Sequence, residues 1–206
     1  MEEDVITPDL NESSELVEVD SDSEESQVVM YDYLFNVIIV GDSGVGKTDL
    51  IGRLCDEAYQ TKFVTTMGMN VESHTLCIND KKIKLQLWDP SGSEKYLHLT
   101  KKYFSNASGI IYVYDVSYAR SFHNIVKWMD LVGENTDANL PKVLVGNKCD
   151  TGRRAVTKEQ AERLADASGM IFMETSAISG HNVTQVFSSL CQVMIPLYDK
   201  KFPLEQ

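Results

Sequence analysis

The stretch "GDSGVGKT", residues 41–48, follows the apolar run "LFNVIIV" and precedes an amphipathic segment, so it matches G-x-x-x-x-G-K-[ST] between a strand and a helix. That context is what a phosphate-binding loop requires. Gly41, Gly44 and Gly46 let the backbone curl until its N–H groups face an anion, Lys47 adds a cation, and the Thr48 hydroxyl offers a ligand to a divalent metal. Ser43, Val45 and Asp49 fall in the same arc and are expected to line it. A plain strand-to-helix glycine turn is the weaker reading.

Outward from this loop, apolar runs alternate with amphipathic ones. Strands are expected at 34–40, "VESHTLCI" (71–78), "KIKLQLW" (82–88), "GIIYVYDV" (109–116), "KVLVGNK" (142–148) and "MIFMET" (170–175). Helices are expected from about Thr48 and near 94–104, 119–135, 157–168 and 181–195. Buried strands separated by helices predict an α/β fold with a mainly parallel sheet covered on both faces. Asn79-Asp80 between two alternating runs predicts one antiparallel hairpin.

Composition bounds the function. The 206 residues suit one domain, and the net charge of −12 is concentrated at the start: residues 1–30 hold eleven acidic residues and no Lys or Arg, leaving 20 acidic against 19 basic. The body has no basic stripe to displace counterions, which argues against nucleic acid. Residues 1–30 are expected to be a disordered acidic tail, 31–198 one domain and 199–206 a short C-terminal tail. Within the tail, "LVEVDSDSEES" is similar to segments that add a strand to a partner's sheet edge, SUMO-interacting motifs among them, although a solvated tail is the expected state. Cys55, Cys77, Cys149 and Cys191 are scattered without a CxxC pair, and His74, His98, His123 and His181 share no metal spacing. With neither a signal sequence nor a long apolar run, a cytoplasmic protein is expected. Trp128 in "SFHNIVKWM" is expected to pack in the core, and the eight Met residues to fill gaps.

Two further motifs carry chemistry. "VGNKCD" presents Asn147, Lys148 and Asp150 at the end of an apolar strand. A carboxylate such as Asp150 accepts two hydrogen bonds from the N1–H and exocyclic amine of guanine, a donor pair that adenine lacks. Asn147 would brace the site and the Lys148 stem would cover the ring. In "WDPSGSE", residues 88–94, a strand delivers Asp89 into a tight turn, where it reads as a metal ligand.

With these residues in place, the chain from Leu34 to about Ile195 resembles the Ras superfamily of small GTPases, and its Rab branch in particular. "KLQLWDPSGSEKY", "YFSNASGIIYVYDVS" and "TTMGMNV" are similar to the Rab second switch, the helix and strand after it, and the first switch. The resemblance implies a P-loop small G domain: a six-stranded, mainly parallel sheet with one antiparallel hairpin at its edge and helices on both faces. It implies GTP and GDP as ligands, with Mg²⁺ held by Thr48, Thr66 and Asp89. Gly92 would give its amide to the γ-phosphate, Tyr59 would lie against the base, and Ser176, Ala177 and Ile178 in "ETSAIS" would support it. Lys47, Thr66 and Ser93 are the residues expected nearest the hydrolytic chemistry.

Several positions depart from the family pattern. Pro90, Ser91, Gly92 and Ser93 stand where Thr, Ala, Gly and Gln are usual, so the water-positioning Gln is replaced by Ser93. Val71 stands where Rab proteins carry the Phe of an aromatic triad with Trp88 and Tyr103, and Ile178 replaces a Lys. The resemblance implies a switch that binds effector proteins near Thr66, Val71, Trp88 and Tyr103, hydrolyses GTP slowly, and meets an exchange factor and a GTPase-activating protein. It points to vesicle or membrane trafficking. A constitutively GTP-loaded scaffold is the alternative, and an ATP-dependent enzyme is disfavoured by Asn147, Lys148 and Asp150. The C-terminal "PLYDKKFPLEQ" lacks a cysteine, so no lipid anchor is expected and membrane contact would run through partners.

Overall fold

A computed structural model describes residues 30–56, 69–90 and 104–203. Their strands are β1 (Tyr33–Val40), β2 (Met69–Ile78), β3 (Lys81–Pro90), β4 (Gly109–Asp115), β5 (Lys142–Asn147) and β6 (Ile171–Glu174), joined in one sheet in the order β2-β3-β1-β4-β5-β6. All neighbouring pairs are parallel except β2–β3. The β2–β3 hairpin turns through Asn79 and Asp80, whose φ values of 50° and 61° suit a tight turn that follows the strand twist. The expected sheet is therefore the observed one.

Because successive side chains on a strand point to opposite faces, β1 serves two cores. Val37 and Ile39 pack with Leu50, Ile51 and Leu54 of α1 (Lys47–Cys55) and with Val186, Phe187 and Leu190 of the last helix. Ile38 and Val40 face the other layer, which includes Trp128 and Ala161. That layer is built from α2 (Ala119–His123), α3 (Ile125–Gly133) and α4 (Lys158–Ala167). A capping box starts α4: the Thr157 hydroxyl accepts from the Gln160 amide, and the Gln160 side chain accepts from the Thr157 amide.

Two helix boundaries differ from expectation. The single helix expected over 119–135 is broken at Asn124, and residues 134–135 lie beyond α3. The last helix, α5 (Val183–Lys201), begins two residues later than expected and continues six residues past 195, although Pro196 lies inside it. Proline removes one ladder bond, but the extension is anchored by packing. Tyr198 lies edge-on to Tyr33 and Phe35, at 5.7 and 5.8 Å between ring centroids, and the Tyr33 hydroxyl donates to Asp199.

The expected tail, apart from Met30, lies outside the described residues, as does nearly all of the expected helix at 94–104. No helix among the described residues is long and apolar enough to cross a membrane.

Candidate functional site

Parallel strands deliver their carboxyl ends to one edge of a sheet, the usual place for ligands in such folds. Here that edge collects Gly41 after β1, Asp89 near the end of β3, Asp115 ending β4, Asn147 ending β5 and Thr175 after β6. The register sets Asp115 beside Asn147 and Gly146 beside Glu174.

The phosphate loop is curled by two glycines in particular. Gly41 has φ 150°, and a Cβ there would lie 2.1 Å from the Val113 carbonyl oxygen. Gly46, with φ 96°, immediately precedes α1, and a Cβ on it would lie 2.4 Å from the Asn147 amide nitrogen. Only glycine allows both the backbone angle and the approach. Ser43 and Gly44 are exposed on the loop, whereas Val45 is buried beneath it.

Lys47 is 6% exposed, and its Nζ donates to the carbonyls of Gly41 and Asp42, each at 3.0 Å. Burial pulls its ammonium below the ordinary lysine range, opposed by the nearby Asp89 and Asp42 carboxylates. Thr48 donates its hydroxyl to Asp89 Oδ2. Asp89 is fully buried, and its other oxygen, Oδ1, accepts no hydrogen bond among the described residues. Burial pushes the Asp89 carboxyl up, against the lowering effects of Lys47 and the Thr48 hydroxyl. A buried carboxylate oxygen without a donor, next to a hydroxyl on the adjoining helix, is a donor set that suits a hard divalent cation.

Asn147 and Lys148 of "VGNKCD" brace the same loop. Asn147 is 1% exposed; its Nδ2 donates to the Val45 carbonyl at 2.9 Å, and its Oδ1 accepts from the Thr175 hydroxyl at 3.1 Å and the Ala177 amide at 3.3 Å. One side chain thus joins the phosphate loop, β5 and the "ETSAIS" turn. Lys148 adopts φ 64°, uncommon for a residue with a Cβ, while its Nζ reaches the Gly44 carbonyl at 2.6 Å and Asp115 Oδ2 at 2.8 Å. Burial would raise the Asp115 carboxyl, but the Lys148 ammonium and the Ser117 hydroxyl and amide more than offset it and hold it below the ordinary range. Asp150 is exposed. Ser176 and Ala177 are buried, and Ile178 is 58% exposed. Asp49 sits in the first turn of α1.

Other expected site residues fall elsewhere. Tyr59, Thr66, Gly92, Ser93 and Tyr103 lie outside the described residues. Of the aromatic-triad positions, Val71 is 45% exposed and pairs with Trp88 across the β2–β3 register. No cluster of metal-ligating side chains of the His, Cys, Asp and Glu type occurs among the described residues.

Several supporting residues escaped the sequence reading. Arg53 of α1 donates to the Ala177 and Ile178 carbonyls. Arg154 forms a two-pronged pair with Glu174, tying the loop after Asp150 to the end of β6. Trp128 packs in the core as expected, but its indole N–H also donates to Asp42 Oδ1 at 2.9 Å. None of these pairs has a local spacing signal, since the partners lie 20 to 125 residues apart.

The sequence model of the Ras family matches residues 36–195. Ras-related protein Rab-13 of Bos taurus is 45% identical to this chain over 163 residues, covering 79% of the chain and 80% of that protein. Ras-related protein Rab-8B of Homo sapiens is 40% identical over 172 residues, 83% of each. Ras-related protein Rab-8 of Diplobatis ommata is 41% identical over 172 residues, covering 83% of the chain and 82% of that protein.

Proposed function

The chain belongs to the Ras family of small GTPases and is Rab-like, and from that premise we propose a Mg²⁺-dependent guanine-nucleotide switch that controls membrane trafficking by binding effectors. Guanine-nucleotide binding and GTP hydrolysis come with the family. The observation that carries the finer reading is the bracing of two loops: Asn147 and Lys148 grip the carbonyls of Val45 and Gly44, so the guanine-reading loop and the phosphate loop are one unit.

In this reading Asp150 pairs with the guanine edge, Asn147 and Ala177 hold the loop that presents it, and Lys148 covers the ring. Ser43, Gly44, Val45, Gly46, Lys47 and Thr48 line the phosphates, and Lys47, already anchored by two carbonyls, needs little reorganisation to meet them. Asp49, Tyr59, Ser176 and Ile178 border the nucleotide. Asp89 and Thr48, with Thr66 and Gly92 from outside the described residues, would hold the metal and the γ-phosphate. Mg²⁺ when bound neutralises phosphate charge and orders the switch segments. Effectors then meet the surface around Val71, Trp88 and Tyr103.

Hydrolysis is proposed to be slow. Ser93 is too short by roughly two bonds to orient water as the family's Gln does, and a loss of about 1.4 to 3 kcal/mol of orientation slows the step about ten- to a hundredfold. Ser93 also favours a second reading, a permanently GTP-loaded scaffold. An activating protein that restores turnover would argue for the switch.

Asp150→Asn tests the base assignment, because it exchanges an acceptor for a donor. The variant should lose GDP affinity and gain xanthosine diphosphate affinity; unchanged guanine selectivity would remove Asp150 from the site.

A further inference from the structure

Asp42 lies inside the phosphate loop, between Gly41 and Ser43, and its two ends do different things. Its carbonyl accepts from Lys47 Nζ. Its carboxylate is held at both oxygens from the opposite side of the sequence: Trp128 Nε1 donates to Oδ1 at 2.9 Å and Asn124 Nδ2 donates to Oδ2 at 2.8 Å. A carboxylate fixed at both oxygens cannot rotate freely about its side-chain bonds, so the Cα and the carbonyl that Lys47 uses are fixed with it.

The two donors are four residues apart and therefore sit on one face of the helical stretch. That stretch is a rigid support, since Ile125, Trp128 and Val132 are buried in the core beneath it. Asn124 stands where the expected long helix divides into α2 and α3, and it makes no side-chain cap for α3. Its Nδ2 reaches Asp42, 82 residues away in sequence.

We infer that Asp42, Asn124 and Trp128 form a clamp of positioning residues that holds the phosphate loop, and Lys47 with it, in the geometry that retains nucleotide. This rests on the reading of the loop as the nucleotide site. The clamp's contribution is to residence time: with it, the loop carbonyls and the ammonium are pre-organised, and without it they must be ordered at each binding event. Its three members have no other expected contact with the ligand.

The test uses the full chain loaded with tritiated GDP in Mg²⁺, chased with unlabelled GDP and followed by filter binding. Trp128→Phe keeps an aromatic ring in the core but removes the N–H together with part of the indole, a packing loss that the melting control reads; Asp42→Ala removes both bonds. Trp128→Phe should release GDP about threefold to tenfold faster than wild type, and Asp42→Ala at least about tenfold faster, about 1.4 kcal/mol per tenfold step. The double variant should match Asp42→Ala within about twofold, because the indole has no partner left to lose. Melting of the nucleotide-free proteins gives the control. A Trp128→Phe protein whose melting point falls while its GDP release stays at the wild-type rate would assign Trp128 to packing alone and overturn the clamp, and so would effects that multiply in the double variant. If Asp42→Ala does not fold, Trp128→Phe and Asn124→Ala carry the same comparison. A wild type that retains no guanine nucleotide would overturn the proposed function itself, whereas tight wild-type retention with unchanged variants overturns only the clamp.

Discussion

Replacing Asn147 by alanine would cut three hydrogen bonds at one point: to the Val45 carbonyl, the Thr175 hydroxyl and the Ala177 amide. Val45, Thr175 and Ala177 are all buried, at 1%, 0% and 5% exposure, so the groups left behind have little access to water. An orphaned buried group costs about 1 to 3 kcal/mol. The Thr175 hydroxyl can turn toward another acceptor, which leaves two groups that cannot adjust, and a net loss of about 3 kcal/mol follows. Because the Asn147 backbone stays paired with Asp115 in the sheet, the loss falls mainly on the two loops it joins. GDP affinity should therefore drop roughly a hundredfold. Isothermal titration of the nucleotide-free variant measures it, with Thr175→Val as the control that removes one bond and costs about 1 kcal/mol. An Asn147→Ala protein within threefold of wild-type affinity would refute the idea that this side chain couples the loops.

Gly46→Ala should be purified with at least tenfold less bound guanine nucleotide than wild type, because its Cβ would meet Asn147 at 2.4 Å and φ 96° suits only glycine; an equal nucleotide content by chromatography would contradict this. Asp115→Asn should change the acid limb of stability. The folded Asp115 carboxyl lies below its ordinary value of 3.8, so it adds stability above that pH which is lost as pH falls through the folded value. Wild type should then lose more melting temperature than the variant between pH 6 and the acid limit, and parallel curves would count against the Lys148–Asp115 pair. Ser93→Gln should raise single-turnover GTP hydrolysis at least severalfold; a wild-type rate at the ordinary Rab level, with no gain in the variant, would show that Ser93 does not limit the step.

What the sequence disclosed and what it hid follow from distance along the chain. "GDSGVGKT" and "VGNKCD" were legible because their chemistry is contiguous, and the Asn79-Asp80 hairpin because turn angles are a local property. The mainly parallel sheet with its one antiparallel hairpin followed from the family resemblance and the alternation of runs, whereas the order of its strands did not. The Asp42–Trp128 and Arg53–Ala177 bonds were not legible, since their partners are 86 and 124 residues apart and carry no spacing pattern. The break at Asn124 was not legible either, because the pattern over 119–135 reads as one continuous helix. The extension of α5 past Pro196 likewise depends on aromatic packing onto β1 that a helix rule cannot see.

The central claim, a guanine-selective and Mg²⁺-dependent site, is tested most directly by nucleotide competition on the purified full chain. Fluorescent GDP is loaded in Mg²⁺ and challenged with GDP, GTP, ADP or ATP, with and without EDTA. GDP and GTP should displace it, ADP and ATP should not at a thousandfold excess, and EDTA should speed its release at least tenfold. Displacement by ATP as effective as by GTP, or release indifferent to EDTA, would contradict the account.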